Sequence, residues 1–227
     1  DYPNRPIRIL TTAAGDGNDL QSRIVAQGVS GPLGQPVIVD NRPGQTSVET
    51  VAKAPPDGYS VLLYGGAIWL APLLRESPWD PVRDFSPITL GVMAPNILAV
   101  HPSLPAKSVR DLIALAKSKP GELNYSTGST GGSSHLSGEL FNAMAGTKML
   151  RVPYKSNTTE TADLISGYVQ LTFGSLGQIG PQVKAGKLRG VAVTSAQQSE
   201  LFPELQTVAA SGLPGYEVVS RSGVFAP

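Results

Sequence analysis

Residues 124–141, NYSTGSTGGSSHLSGELF, gather small and hydroxyl-bearing side chains into one run and then change to a helical pattern. Glycine lets a backbone approach a ligand closely. A loop running into a helix also presents amides with no intrahelical carbonyl to serve, at the positive end of the helix dipole. That arrangement favours an anion, either carboxylate or phosphate. The same pattern describes a tight turn with hydroxyl caps, and the residues alone leave both readings open. Three further stretches share the character: TTAAGDGND at 11–19, GGAIWL at 65–70 and GSLG at 174–177.

Several chemistries fail on detail. A P-loop needs a lysine after its glycines, and the 126–135 run has none. The glycines at 15 and 17 give only G-x-G, short of the dinucleotide fingerprint. The histidines are His101 and His135. His135 adjoins Ser134, but neighbours at a helix start point in different directions and make a poor nucleophile–base pair. No G-x-S-x-G elbow occurs. His101 precedes a proline at a strand end and reads as structural. The carboxylates Asp16, Asp19, Glu160 and Asp163 lie in separate stretches without metal-ligand spacing. Asp57, Asp80 and Asp84 stand in turn contexts, PPDG and WDPVRDF, and read as turn and cap formers.

The elements that must position these loops follow the hydrophobic rhythm. An apolar strand is expected at 7–10, then a helix from about Asn18, capped by Asn18 or Asp19, with Leu20, Ile24 and Val25 on its apolar face. PVIVDNRPG reads as a strand ending in a turn, SVETVAKAPPDG as a helix stopped by prolines, and YSVLLYGG as a third strand. The rhythm restarts with a strand at 97–100 and a helix capped by Ser108 that buries Leu112, Ile113 and Leu115. A strand near 123–126 leads through the opening loop to a helix at 135–145. MLRVPYK, YVQLTFGS and LRGVAVTS read as strands, and TADLISG and IGPQVKAG as helices. Two successive alternations of strand and helix predict two α/β lobes of the doubly wound kind. In such sheets ligands bind beyond the carboxyl ends of the strands, where all four loops fall.

Composition sets the outer bounds. The 227 residues suffice for one large domain or two modest ones. Eighteen basic and 17 acidic residues give a net charge of +1 with no basic stripe, which argues against a nucleic-acid partner. The absence of cysteine excludes disulfides and thiolate metal sites. No apolar run approaches the roughly 18–20 residues of a membrane span. DYPNRPIRIL reads as a mature or a trimmed amino terminus rather than a signal peptide.

Together the stretches YPNRPIRIL, VDNRPG, VAKAPPDGYSVLL, WDPVRDFSPIT, LAVHPSLPAKSVRDLIALAKSKPGELNYSTG, GGSSHLSGELF, VPYK, ADLISGYVQLTF, VKAGKLRGVAVTS and GVFAP occur in order over nearly the whole chain. They resemble the TctC or Bug family, the periplasmic substrate-binding proteins of tripartite tricarboxylate transporters. The resemblance implies an α/β Venus-flytrap protein whose two lobes, each a doubly wound sheet with flanking helices, are joined by crossing strands. The first lobe would take residues 1–98 and 222–227, completed by further C-terminal residues, and the second 99–221. It also implies a periplasmic monomer with no catalysis and no cofactor. Such a protein captures a small organic solute, usually a carboxylate, between its lobes and delivers it to a membrane permease. A sensor that signals to a membrane receptor would look the same in sequence. A hydrolase using Ser134 and His135 is the weaker reading.

The resemblance places the ligand site on the loops already singled out. The first lobe would contribute Ala14, Gly15, Asp16 and Asp19, with Gly66 and Ala67. The second would contribute Ser126, Thr127, Gly128, Thr130, Gly131, Ser133, Ser134 and His135, with Tyr154, Asn157, Asp163 and Ser175 nearby. This chain departs from the family pattern at several points. Thr11 and Ala13 replace prolines, and Asp16 stands where a glycine is usual. An acid there would repel an anion unless it turns away, is protonated, or caps the helix, and it would favour an amine, hydroxyl or neutral ligand. YKSNTTETAD carries less glycine and proline than the family pattern, and NRPGQTSVET looks shorter than the usual version.

Overall fold

A computed structural model describes residues 2–43 and 45–227. Asp1 and Gly44, the latter in the turn expected after the second strand, lie outside the described residues. The chain divides into two units, residues 1–93 with 221–227, and residues 94–220.

The first unit begins with β1 (Ile7–Thr11), α1 (Gly17–Leu33), β2 (Val37–Asn41), α2 (Thr46–Ala52), β3 (Ser60–Gly65) and α3 (Ala67–Leu74). β1 runs parallel to β2 and β3, with Ile9 opposite both Val39 and Val61. β3 also pairs antiparallel with β9 (Val219–Ala226), Leu63 opposite Val224. Side chains alternate across the sheet, as the period of a strand requires. Leu10, Leu62 and Tyr64 point into a cluster with Val48, Val51, Ile68, Trp79 and Phe85. Ile9 and Leu63 point the other way, into a smaller cluster with Ala26 and Val224.

The second unit holds the carboxyl half of β4 (Ser86–Val100), then α4 (Val109–Ser118), β5 (Asn124–Thr127), α5 (Ser133–Ala145), β6 (Leu150–Pro153), α6 (Asn157–Ser166), β7 (Leu171–Ser175), α7 (Leu176–Lys184) and β8 (Arg189–Val193). β5 lies parallel between β6 and β7, and β4 pairs antiparallel with β7 and β8. Its sheet is buried on both faces. Leu98 and Val100 join Tyr125, Phe141, Phe173 and Tyr216 on the α5 side. Ile97 and Ala99 join Leu164, Ile179, Val193 and Phe202 on the other. α5 sits close to β5 because Gly138 has no side chain: a Cβ there would lie 2.1 Å from the Tyr125 ring.

Several boundaries differ from the sequence expectation. α1 starts at Gly17 with Asp16 in the N-cap position, and α5 starts at Ser133 rather than at residue 135. The run 65–70 is a loop only at its start, since α3 begins at Ala67 with Gly66 as N-cap. The run 174–177 is no loop at all: α7 follows β7 directly, and the Ser175 hydroxyl caps it by accepting from the Gln178 N–H. The face of α1 also differs. Leu20 and Ile24 are each 62% exposed, while Asp19, Ser22 and Ala26 face inward. Asp19 is drawn inward by the contacts described below, and small residues on the same face let the helix lie close to the sheet.

Candidate functional site

In the second unit the connection from β5 to α5 is residues 128–132. Gly131 has φ +81°, a left-handed conformation natural to glycine. Gly132 occupies the N-cap, where it has no side chain to offer, and a Cβ there would come within 3.1 Å of the Ser129 carbonyl oxygen. The first-turn amides of α5, Ser133 to His135, therefore have neither an intrahelical carbonyl nor a capping side chain.

The loop is held from below and from within. Ser126 and Thr127 are fully buried at the end of β5. The Ser126 hydroxyl donates to Glu160 Oε1 (2.7 Å). Glu160, 2% exposed at the start of α6, also accepts from Thr172 Oγ1 (3.3 Å) and Gln178 Nε2 (3.0 Å). A buried carboxylate is tolerated only with such hydrogen bonds, and this one ties β5, β7 and α7 together. On the opposite face, Arg151 stands beside Tyr125 in the β5–β6 register. Its Nε donates to Thr127 Oγ1 (2.8 Å), Nη1 and Nη2 to Thr130 Oγ1 (3.2 Å each), and Nη2 to the Gly128 carbonyl (3.2 Å).

Side chains of α5 occupy two of the loop's glycine amides. The Gly128 N–H donates to Ser134 Oγ (3.2 Å), and the Gly131 N–H donates to His135 Nδ1 (3.1 Å). The second bond requires Nδ1 to be unprotonated, so the imidazole is neutral. Burial lowers the His135 pKa below 6.5, Arg151 lowers it further, and Glu139 opposes them. Ser134 and His135 thus serve separate amides, and no nucleophile–base pair forms.

Around this loop the other expected residues disperse. The Tyr154 N–H donates to the Thr127 carbonyl (2.8 Å), while its hydroxyl donates to Asp163 Oδ2 (2.8 Å). Asn157 opens α6, whose N-cap is Ser156. Ser175 is an exposed cap of α7. Two open surface hollows of this unit have volumes of about 570 and 440 Å³. The first is lined by residues such as Arg110 and Lys117, the second by residues such as Asn157 and Lys187, and neither includes a residue of the 126–135 loop.

In the first unit the corresponding turn is residues 12–16, between β1 and α1. Ala14 is exposed, and Gly15 has φ +85°. Asp19 is 5% exposed and fully engaged. Its Oδ2 accepts from the Gly15 N–H (2.9 Å), and its Oδ1 accepts from Asn41 Nδ2 (2.8 Å) and meets Arg23 Nε at 3.0 Å. Burial pushes the Asp19 carboxyl up, but the Gly15 amide, Asn41 and Arg23 together hold it below 3.8. Asp16 is half-buried at the N-cap, and its charge acts on Tyr64. Burial first, then Asp16, raises the Tyr64 hydroxyl to about 12. Gly66 and Ala67 open α3.

The residue pattern considers Glu160 only as a metal ligand, does not single out Arg151, and leaves Ser129 unnamed within the 126–135 run. Glu160 carries no motif, since its role depends on α6 and α7 crossing the same strand end. Arg151 was legible in principle, because strand alternation puts it on the same face as Tyr125 once β6 is paired with β5. Among the described residues no cluster of three or more histidines or carboxylates could hold a metal ion, and no helix is long and apolar enough to cross a membrane.

Comparison with known proteins gives a consistent result. The UPF0065 protein in the tcbD-tcbE intergenic region of Pseudomonas sp. is 33% identical over all of this chain and 69% of its own length. The structure of Rpa4515 from R. palustris, solved with adipate, is 36% identical with a TM-score of 0.94, covering all of this chain and 78% of that one. The structure of the periplasmic binding protein BugD is 31% identical with a TM-score of 0.90, covering all of this chain and 77% of that one. These matches establish the α/β periplasmic binding protein fold. The model of the tripartite tricarboxylate transporter family receptor, TctC, matches residues 21–227, and the chain belongs to that family of solute-binding proteins.

Proposed function

We propose that this chain is a periplasmic solute-binding protein that captures a small organic carboxylate and delivers it to a tripartite tricarboxylate-type membrane transporter. The observation that carries the reading is the adipate-bound relative, which matches this chain from end to end at 36% identity. The 128–132 loop supports it locally, with a glycine N-cap and first-turn amides suited to a carboxylate. In this reading the second unit's loop supplies the main anion contacts. Binding acts by population shift: the ligand stabilises one state of the protein, which the permease then recognises. No bond is made or broken.

A thermal-shift series with straight-chain dicarboxylates, amino acids and their amides tests this. At a hundred times its dissociation constant, a true ligand stabilises the native state by about 2.7 kcal/mol. That corresponds to a melting-temperature rise of roughly 5–10 °C for a chain of this size. Proton NMR of the mixture should show the ligand unchanged after prolonged incubation. A panel in which amines or neutral amides bind and carboxylates do not would sink the carboxylate reading.

A further inference from the structure

Arg151 makes four hydrogen bonds, and every acceptor is neutral: two threonine hydroxyls and a peptide carbonyl. Among the described residues no carboxylate lies within ion-pair distance of it. Arginine cannot shed its proton in a protein. The loop therefore rests on a permanent positive charge that nothing else in the unit neutralises by contact.

The position of that charge matters. Arg151 Nη2 binds the carbonyl of Gly128, whose peptide partner is the Ser129 N–H. This peptide bond is trans, so its N–H points away from its C=O and hence away from the guanidinium. A charge-assisted bond to the carbonyl polarises the peptide and makes its N–H a stronger donor. Among the described residues nothing accepts from that N–H. The neighbouring Ser129 carbonyl is occupied, accepting from the Gly132 N–H (3.0 Å).

We propose that Arg151 is the positioning residue that gives this loop its preference for anions, fixing its shape through Thr127, Gly128 and Thr130 and passing its charge to a bound carboxylate through the Ser129 amide. This rests on the carboxylate reading above and deepens it. Arg151 does not touch the ligand. It sets the field of the amides that do, and for that reason no side-chain motif betrays it.

The test uses adipate as probe, with the wild type, Arg151→Gln and Arg151→Lys measured by isothermal titration across a range of ionic strengths. Removing a charge about 8 Å from a bound anion costs about tenfold in affinity at low salt. Arg151→Gln should show that loss, and Arg151→Lys, which keeps the charge but not the planar fork, should recover part of it. The deficit of Arg151→Gln should shrink as salt screens the interaction. In the wild type the Ser129 amide proton should shift when adipate binds. A deficit that ignores salt, or a Ser129 amide that ignores adipate, would overturn the proposal and leave Arg151 as a brace. Circular dichroism of each variant separates unfolding from lost affinity, and if Arg151→Gln unfolds, the wild-type Ser129 shift and Arg151→Lys decide alone. If the wild type binds neither adipate nor any other dicarboxylate, the carboxylate reading itself falls and takes this one with it.

Discussion

In the first unit the turn after β1 is closed by an anion, and in the second the turn after β5 is closed by a cation. Asp19 pulls the Gly15 amide inward, so one of the turn's donors serves a carboxylate the protein already carries. Arg151 instead takes a carbonyl and two hydroxyls from its loop. A guanidinium has no acceptor to offer, so it engages only the loop's oxygens and leaves its amides facing elsewhere. Two similar strand–turn–helix units thus present different chemistry, because the sign of the latch decides which backbone atoms it engages.

The units also differ in how well they are covered. Among the described residues, the buried hydroxyls with no hydrogen-bond partner, at Thr12, Ser47 and Ser77, all lie in the first unit. So do most of the large exposed apolar side chains, among them Ile88, Leu90 and Val92, alternating along the amino half of β4. The second unit has aromatic clusters on its α5 side and a full apolar layer on the other. Its close-packed side is where substitution should do most damage.

Gly138→Ala is the sharpest way to break that packing. The added methyl would sit 2.1 Å from the ring of the fully buried Tyr125, whose hydroxyl also donates to Glu139. Neither partner has room to move, so we expect a loss of about 2–4 kcal/mol, read by chemical denaturation. The equivalent helix of the first unit faces inward through Ser22 and Ala26. A loss below about 1 kcal/mol would mean that α5 is free to slide on its sheet.

Asp19→Ala tests the opposite latch. It strands the Gly15 amide and Asn41 and removes the partner of Arg23, for an expected cost of about 1–3 kcal/mol. Because the folded carboxyl is held below 3.8, its contribution is present above that pH and is lost as acid protonates it. Asp19→Ala should therefore flatten the most acidic limb of the stability curve. An unchanged limb would deny Asp19 its role as latch.

The sequence revealed the alternation of elements well, because hydrophobic period and glycine–proline punctuation are local. Ser108 illustrates this: its hydroxyl accepts from the Asp111 N–H as the spacing foretold. It revealed the face of α1 badly, since Leu20 and Ile24 have helical spacing yet point outward. There a single buried carboxylate outweighed the apolar pattern, and its partner Asn41 lies 22 residues away. The loop glycines were likewise legible as a group, but their tasks were not. Whether an amide such as that of Gly128 or Gly131 faces inward depends on the side chains of Ser134 and His135, six and four residues later.

The smallest expected effect concerns that last bond. The Gly131 N–H needs an unprotonated Nδ1, and burial together with Arg151 keeps His135 neutral below its ordinary 6.5, against the pull of Glu139. Between the lowered native value and 6.5 the unfolded chain binds more protons than the native one, so stability must rise with pH across that window. As pH falls from about 6.5 the second unit should lose a fraction of a kcal/mol, in a step separate from the more acidic one governed by Asp19. His135→Gln cannot titrate there, and its stability should be level over the same window. If the wild type is equally level, the histidine is not held by the loop amide in the native state, and the loop's shape rests on Arg151 and Ser134 alone.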